Sequence, residues 1–326
     1  MKYSRLSSLG VNLTSSCGVT MIRFSASMFC VLFALACISF SVHAKKESSQ
    51  TPPITLENVS YGGHKNQIFD FWKADVNEPA PLAIYIHGGG FKGGSHDKVW
   101  GNYVKRFLEA GVHHISIEYR FLRHAEFPAP HQDVQRALQF IRSKANEWGI
   151  DKRRIAAYGG SAGGQLVTYL AWHDDLANPQ SDDPIAREST RLTAVAAKGV
   201  QSTMDLNWWL ENLPGYDKSF HKDYWRSGSP MSTPQARKLI DKLSVINLIS
   251  ADDPPTLLIY KSNPDDPIPN KSPKALKSWV THHVNFGIAL ENKLKANGVE
   301  VHLDYPKKRS TFGDDIPAFL LHHLKK

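Results

Sequence analysis

An α/β fold with a largely parallel sheet follows from three features of the sequence. Short apolar runs alternate with segments of helical period from about residue 80 to the C-terminus. Two of those runs end abruptly in glycine-rich turns, and their centres are apolar at successive positions, as in strands buried on both faces. The expected strands are Leu82 to Ile86, His113 to Glu118, Arg154 to Tyr158, Leu192 to Gly199, Thr256 to Tyr260 and Val299 to Asp304. Before them, Ile54 to Ala74 reads as two extended segments about Tyr61-Gly62-Gly63, an antiparallel edge. Helices are expected around Val99 to Glu109, Pro130 to Trp148, Gly163 to Trp172, Asn285 to Ala296 and Pro317 to His323. In the second of these Val134, Leu138, Ile141 and Ala145 recur on one face, and Asp133, Arg136 and Lys144 take the other. Residues 201–248 separate two strands by far more than a crossover needs and are rich in aromatics, including Trp208, Trp209 and Trp225. They are expected to form a lid-like insertion whose tryptophans either line a substrate groove or pack the insertion onto the body.

The chain has 326 residues, of which 41% are apolar and 21% charged, an ordinary globular composition with material for one sizeable core. Residues 1–44 stand apart. They lack Asp and Glu, carry Lys2, Arg5 and Arg23, and hold an apolar run from Met28 to Phe40 that is short for a membrane span. With Val42-His43-Ala44 before Lys45, this is the pattern of a secretory signal cleaved after Ala44, followed by a linker over 45–53 and a domain over 54–326. The expected product is secreted or periplasmic, with no stable membrane insertion after cleavage. Cys17, Cys30 and Cys37 all lie in the presequence, so the mature chain would hold no disulfide and no Cys/His metal site, whereas Asp/His ligation stays open. Removing the three basic residues of the presequence lowers the formal net charge from +8 to +5. That excess is spread out, which gives no concentrated basic face for nucleic acid.

The chemistry is carried by two motifs. The strand ending at Tyr158 runs into Gly159-Gly160-Ser161-Ala162-Gly163 and then a helix, the Gly-x-Ser-x-Gly pattern at a strand-to-helix turn. Such a turn exposes the hydroxyl of Ser161 above the sheet as a nucleophile. The strand Leu82 to Ile86 ends in His87-Gly88-Gly89-Gly90-Phe91, where small residues leave backbone N–H groups free to face a carbonyl oxygen. The N–H groups of Gly88, Gly89 and Ala162 are the expected oxyanion hole.

With these motifs the chain resembles the esterase and lipase group that has an HGGGF oxyanion loop, and most of all the bacterial feruloyl and acetyl-xylan esterases. Tyr119-Arg120, Phe127-Pro128-Ala129-Pro130, Asp133, Gly149-Ile150-Asp151 and Arg154-Ile155 carry the likeness, as does Gly160 in place of an acid before the nucleophile. The resemblance implies the α/β-hydrolase fold, with a mostly parallel eight-stranded sheet and helices on both faces. It also implies hydrolysis of carboxylic esters on a small molecule or a polysaccharide, acetyl or feruloyl groups among them, without metal or organic cofactor. The acid of such proteins lies in Asp-x-x-Val/Ile-Pro, which Asp265 matches through Ile268-Pro269, with Asp266 as the alternative. Their histidine follows the last strand, but this chain has Pro306-Lys307-Lys308-Arg309 there and no histidine. His282 and His283 precede a helix that starts at the same sheet edge as Ser161, and of the two His283 is the expected base because it lies nearer the ordered helix; His322 and His323 sit too deep in the terminal helix. His87, His131 and His173 are expected to be structural. The missing late histidine leaves two other readings, a non-catalytic ligand-binding member of the fold and a peptidase.

Overall fold

The structure, a computed structural model, describes residues 51–77, 79–217, 233–270 and 272–326. The expected signal segment, most of the linker and Trp225 lie outside the described residues. The domain is built on one eight-stranded sheet: β1 (Leu56–Ser60), β2 (Ile68–Trp72), β3 (Ala80–Ile86), β4 (His113–Ile117), β5 (Ile150–Gly160), β6 (Ala194–Lys198), β7 (Thr256–Ile259) and β8 (Val301–Asp304). Their order across the sheet is β1-β2-β4-β3-β5-β6-β7-β8. The first two pairings, β1 with β2 and β2 with β4, are antiparallel, and every other pairing is parallel.

Alternation along the central strand explains the layers. On β5, Ile155 and Ala157 face one core while Ala156 and Tyr158 face the other, as a strand covered on both faces must. The first core is closed by α2 (Ala129–Ser143), α4 (Ala162–Trp172) and α8 (Val284–Ala296) through Val134, Leu138, Leu166 and Leu290. The second is closed by α1 (Gly101–Glu109) and α9 (Ile316–Leu324) through Val104, Phe107, Ile316 and Phe319.

The expected helix over 130–148 is two pieces, since the backbone turns at Lys144 before the single turn α3 (Ala145–Trp148). Asp133, placed on the polar side by its spacing, is buried instead. Its carboxylate accepts from the Arg120 guanidinium at 2.6 Å and from the Arg120 backbone N–H at 2.8 Å, so an ion pair pins α2 to the chain after β4. The 201–248 insertion contributes α5 (Leu206–Asn212) and α6 (Pro234–Leu243). A further helix, α7 (Pro273–Thr281), was not expected from the sequence. Ser272 caps its start by accepting from the N–H of Ala275, and Pro273 occupies its first turn, where no N–H is needed.

Candidate active site

The turn after β5 has the shape the glycines allow. Ser161 sits at φ 53°, a left-handed conformation that costs a non-glycine residue energy, and its N–H is held by the carbonyl of Lys198 at 2.8 Å. The two defining glycines of the motif are required by sterics. A Cβ on Gly159 would stand 2.6 Å from the carbonyl of Ile86, and one on Gly163 would stand 2.1 Å from the same oxygen. At Gly160, the variable position, the nearest atom would be 3.6 Å away. Strand β3 and helix α4 can therefore touch only because positions 159 and 163 carry no side chain.

The oxyanion loop follows β3 directly. Gly89 and Gly90 have φ of 129° and 60°, and both line the cavity in front of Ser161. The loop is braced from below: the His87 ring contacts the carbonyl of Gly88 through Nδ1 at 2.8 Å and the carboxylate of Glu118 through Nε2 at 2.9 Å. Among the described residues no hydrogen bond uses the N–H of Gly88, Gly89 or Ala162. These donors remain available to a substrate oxygen, with Ala162 at the start of α4 adding the positive end of a helix.

The imidazole that meets the serine is His282. Its Nε2 lies 2.9 Å from Ser161 Oγ, and its Nδ1 lies 2.8 Å from the carbonyl oxygen of Ser278. A carbonyl can only accept, so Nδ1 carries the ring proton and Nε2 presents its lone pair to the Ser161 hydroxyl. This is the tautomer a general base needs. Burial pushes the His282 pKa below the ordinary imidazole value of 6.5, and the hydrogen bond to Ser278 partly opposes that shift.

Three expectations from the sequence need correction. His283, the favoured base, does not reach Ser161. It caps α8 by accepting from the N–H of Asn285 at 3.2 Å, and its buried ring packs edge-on against Trp279 at 4.6 Å. Asp265 is exposed and takes the Lys307 ammonium at 2.8 and 2.5 Å. The loop where the resemblance expects a histidine supplies a lysine instead, and that lysine claims the carboxylate. Asp266 serves its own turn, accepting from the backbone and side chain of Asn263 at 2.6 and 2.9 Å. The position of the acid beside Nδ1 is thus held by a main-chain carbonyl in the last turn of α7. Sequence reasoning missed it because a carbonyl leaves no residue signature; the Ser272-Pro273 start of α7 was the available signal.

Trp209 lines a cavity of about 460 Å³ together with Gly89, Ser161, Gln201 and His282. Its indole N–H donates to the carbonyl of Thr203 at 2.8 Å, so the ring is fixed. Trp208 does not line the space around Ser161. It stacks on Phe286 at 5.3 Å and borders a separate hollow with Asp205 and Asp241, which makes it a packing residue. A second cavity of about 340 Å³ also borders Ser161 and His282, bounded further by Trp100, Lys198, Tyr260 and Lys261. Of the histidines expected to be structural, His131 is buried against Gln165 Oε1 at 2.8 Å, and His173 contacts the carbonyl of Asp174 at 3.1 Å.

A nucleophile turn after a central parallel strand, a glycine loop facing it and a histidine on its hydroxyl define an α/β-hydrolase. The BD-FAE family model matches residues 70–280, more than half of the chain, and the protein belongs to that family. It is 33% identical over 110 residues to esterase LipC of Mycobacterium tuberculosis, covering 33% of this chain and 27% of LipC. It is 30% identical over 139 residues to carboxylesterase NlhH of the same species, covering 39% and 43% of the two chains. The matches therefore span less than half the length of these curated relatives. Among solved structures, a truncated carbohydrate esterase from gut microbiota superposes with a TM-score of 0.63 at 19% identity, covering 86% of this chain and 99% of that one. An acetyl ester-xyloside bifunctional hydrolase from Caldicellulosiruptor lactoaceticus gives 0.57 at 23% identity, covering 79% and 85%. At these identities the superpositions establish the fold.

Proposed function

We propose that the protein is a serine carboxylesterase working through a Ser161–His282 dyad. The observation that carries this reading is the 2.9 Å contact between Ser161 Oγ and the unprotonated ring nitrogen of His282, beside a glycine loop with unused N–H groups. His282 takes the serine proton as Oγ attacks the ester carbonyl. The N–H groups of Gly88, Gly89 and Ala162 receive the oxyanion, a feature worth about 3 kcal/mol per donor in comparable sites. The imidazolium then protonates the leaving alcohol, and water, deprotonated by the same ring, releases the acid. Charge on the imidazolium is balanced by the Ser278 carbonyl and the negative end of α7. A non-catalytic binding role would not require the ring to be held in the tautomer that accepts the serine proton.

The esterase names of the relatives and the carbohydrate-esterase neighbours support sugar-linked acyl groups as the substrate class. The walls refine it. Lys198, Lys261 and Lys274 line the two cavities, and no Asp or Glu is among their described lining residues. Such a field favours esters that carry a carboxylate near the scissile bond. Export to the periplasm or medium accompanies this reading, supported by the acid-free leader and its Ala44 exit.

Purified protein should hydrolyse short chromogenic esters, with kcat/KM rising with pH through a midpoint below 6.5, because the neutral ring is the base and burial extends it to lower pH. An ester with a carboxylate on its alcohol should be preferred over its neutral analogue by about tenfold at low salt, and the preference should shrink as salt is added. No turnover of any ester, or turnover of an anilide alone, would contradict the assignment.

A further inference from the structure

A second cluster of chemically competent side chains lies beneath the oxyanion loop, at the β1–β2–β4 edge of the sheet. His96 is buried, and its Nε2 has no hydrogen-bond partner among the described residues. It is nevertheless aimed at two carboxylates, with Asp70 Oδ2 at 3.6 Å and Asp97 Oδ1 at 3.4 Å. All three atoms lie within 4.8 Å of one another. These separations exceed those of good N–H···O hydrogen bonds, about 2.7–3.2 Å. They fall close to the spacing of about 3.4 Å between neighbouring donors that each sit about 2.1 Å from a tetrahedral ion.

The surroundings are those of ligands held in place. Asp70 is buried, and its other oxygen, Oδ1, accepts from the backbone N–H of Asn58 at 2.8 Å. Asn58 can offer that N–H because β1 bulges there and the residue takes φ 51°. The other oxygen of Asp97 accepts from Ser95 Oγ at 2.8 Å. Each carboxylate thus has one oxygen anchored and the other turned toward Nε2. On the far side of the ring, His96 Nδ1 faces Glu118 Oε2 at 3.5 Å, the arrangement in which a carboxylate orients a metal-bound imidazole. Asp97 is exposed, which leaves an entry path and room for water as a fourth ligand.

We propose that Asp70, His96 and Asp97 form a binding site for a divalent transition ion of the zinc type. The expected absence of a metal applies to the reaction centre, which the site does not enter. Glu118 links the two, since its other oxygen holds the His87 ring under the oxyanion loop. A bound ion would therefore act as a brace for that loop.

Isothermal titration of zinc chloride into chelator-stripped protein should show one tight site. Asp97→Asn should weaken it at least about tenfold and His96→Gln should abolish it. Cobalt(II) bound at the same site should give the visible absorption of a four-coordinate centre, lost in both variants. If His96→Gln fails to fold, Asp97→Asn decides alone, because that side chain is exposed. Failure to bind either ion at millimolar concentration would overturn the proposal. So would unchanged affinity in Asp97→Asn, which would place the metal on other histidines such as His302 and His322.

Discussion

Replacing Ser161 with alanine should lower ester turnover by at least about a thousandfold, the scale on which hydrolases lose activity when the nucleophile is removed. The change deletes one oxygen and keeps a Cβ, so the turn, shaped by Gly159 and Gly163, needs no adjustment. Circular dichroism and the thermal midpoint should stay at parent values. Some catalysis should persist above the uncatalysed rate, because the donors at Gly88, Gly89 and Ala162 remain in place. Kinetics of the two proteins on one chromogenic ester would check it, and a variant as fast as its parent would remove Ser161 from the mechanism.

The second large effect separates two adjacent histidines. His282→Ala should cost at least about a hundredfold in kcat, the usual scale for a general base, with little change in melting temperature. His283→Ala should do the reverse. It removes the α8 cap and a buried ring packed edge-on against Trp279, so stability should fall by about 1–3 kcal/mol while the chemistry survives. Asp265→Asn supplies a third arm. Because its carboxylate is exposed and paired with Lys307 rather than with imidazole, turnover should change by less than about threefold. A large loss in Asp265→Asn, with His282→Ala mild, would restore an acid-dependent triad and refute the dyad.

The sheet was legible because its signal is local and repeated. Apolar runs such as Leu82 to Ile86 and Arg154 to Tyr158 can be read one at a time, and the glycine turns that follow them show where the site faces. Ser161 and the oxyanion loop were legible for the same reason: backbone sterics at Gly159 and Gly163 demand glycine, and the demand is written in the sequence. The base was only half legible. Chain order narrowed it to two neighbours, but which ring reaches Ser161 depends on where α7 ends and α8 begins, a boundary of a single residue. Here His282 closes the first helix and His283 caps the second, so the ring nearer the ordered helix is the one committed to structure. The partner of Nδ1 was not legible at all, since every residue has a carbonyl. Asp265 misled because its motif spacing was right while its competitor, Lys307, arrives from 42 positions away.

The most direct test of the Ser161–His282 dyad is the mass of the covalent intermediate. Quenching the parent enzyme during turnover of an activated ester, then digesting and weighing the peptides, should place one acyl group on the peptide containing Ser161. The adduct should be absent from Ser161→Ala, should form at least about a hundredfold more slowly in His282→Ala, and should form at the parent rate in Asp265→Asn. An acyl group on another residue, or acylation that is indifferent to His282 and lost in Asp265→Asn, would contradict the account.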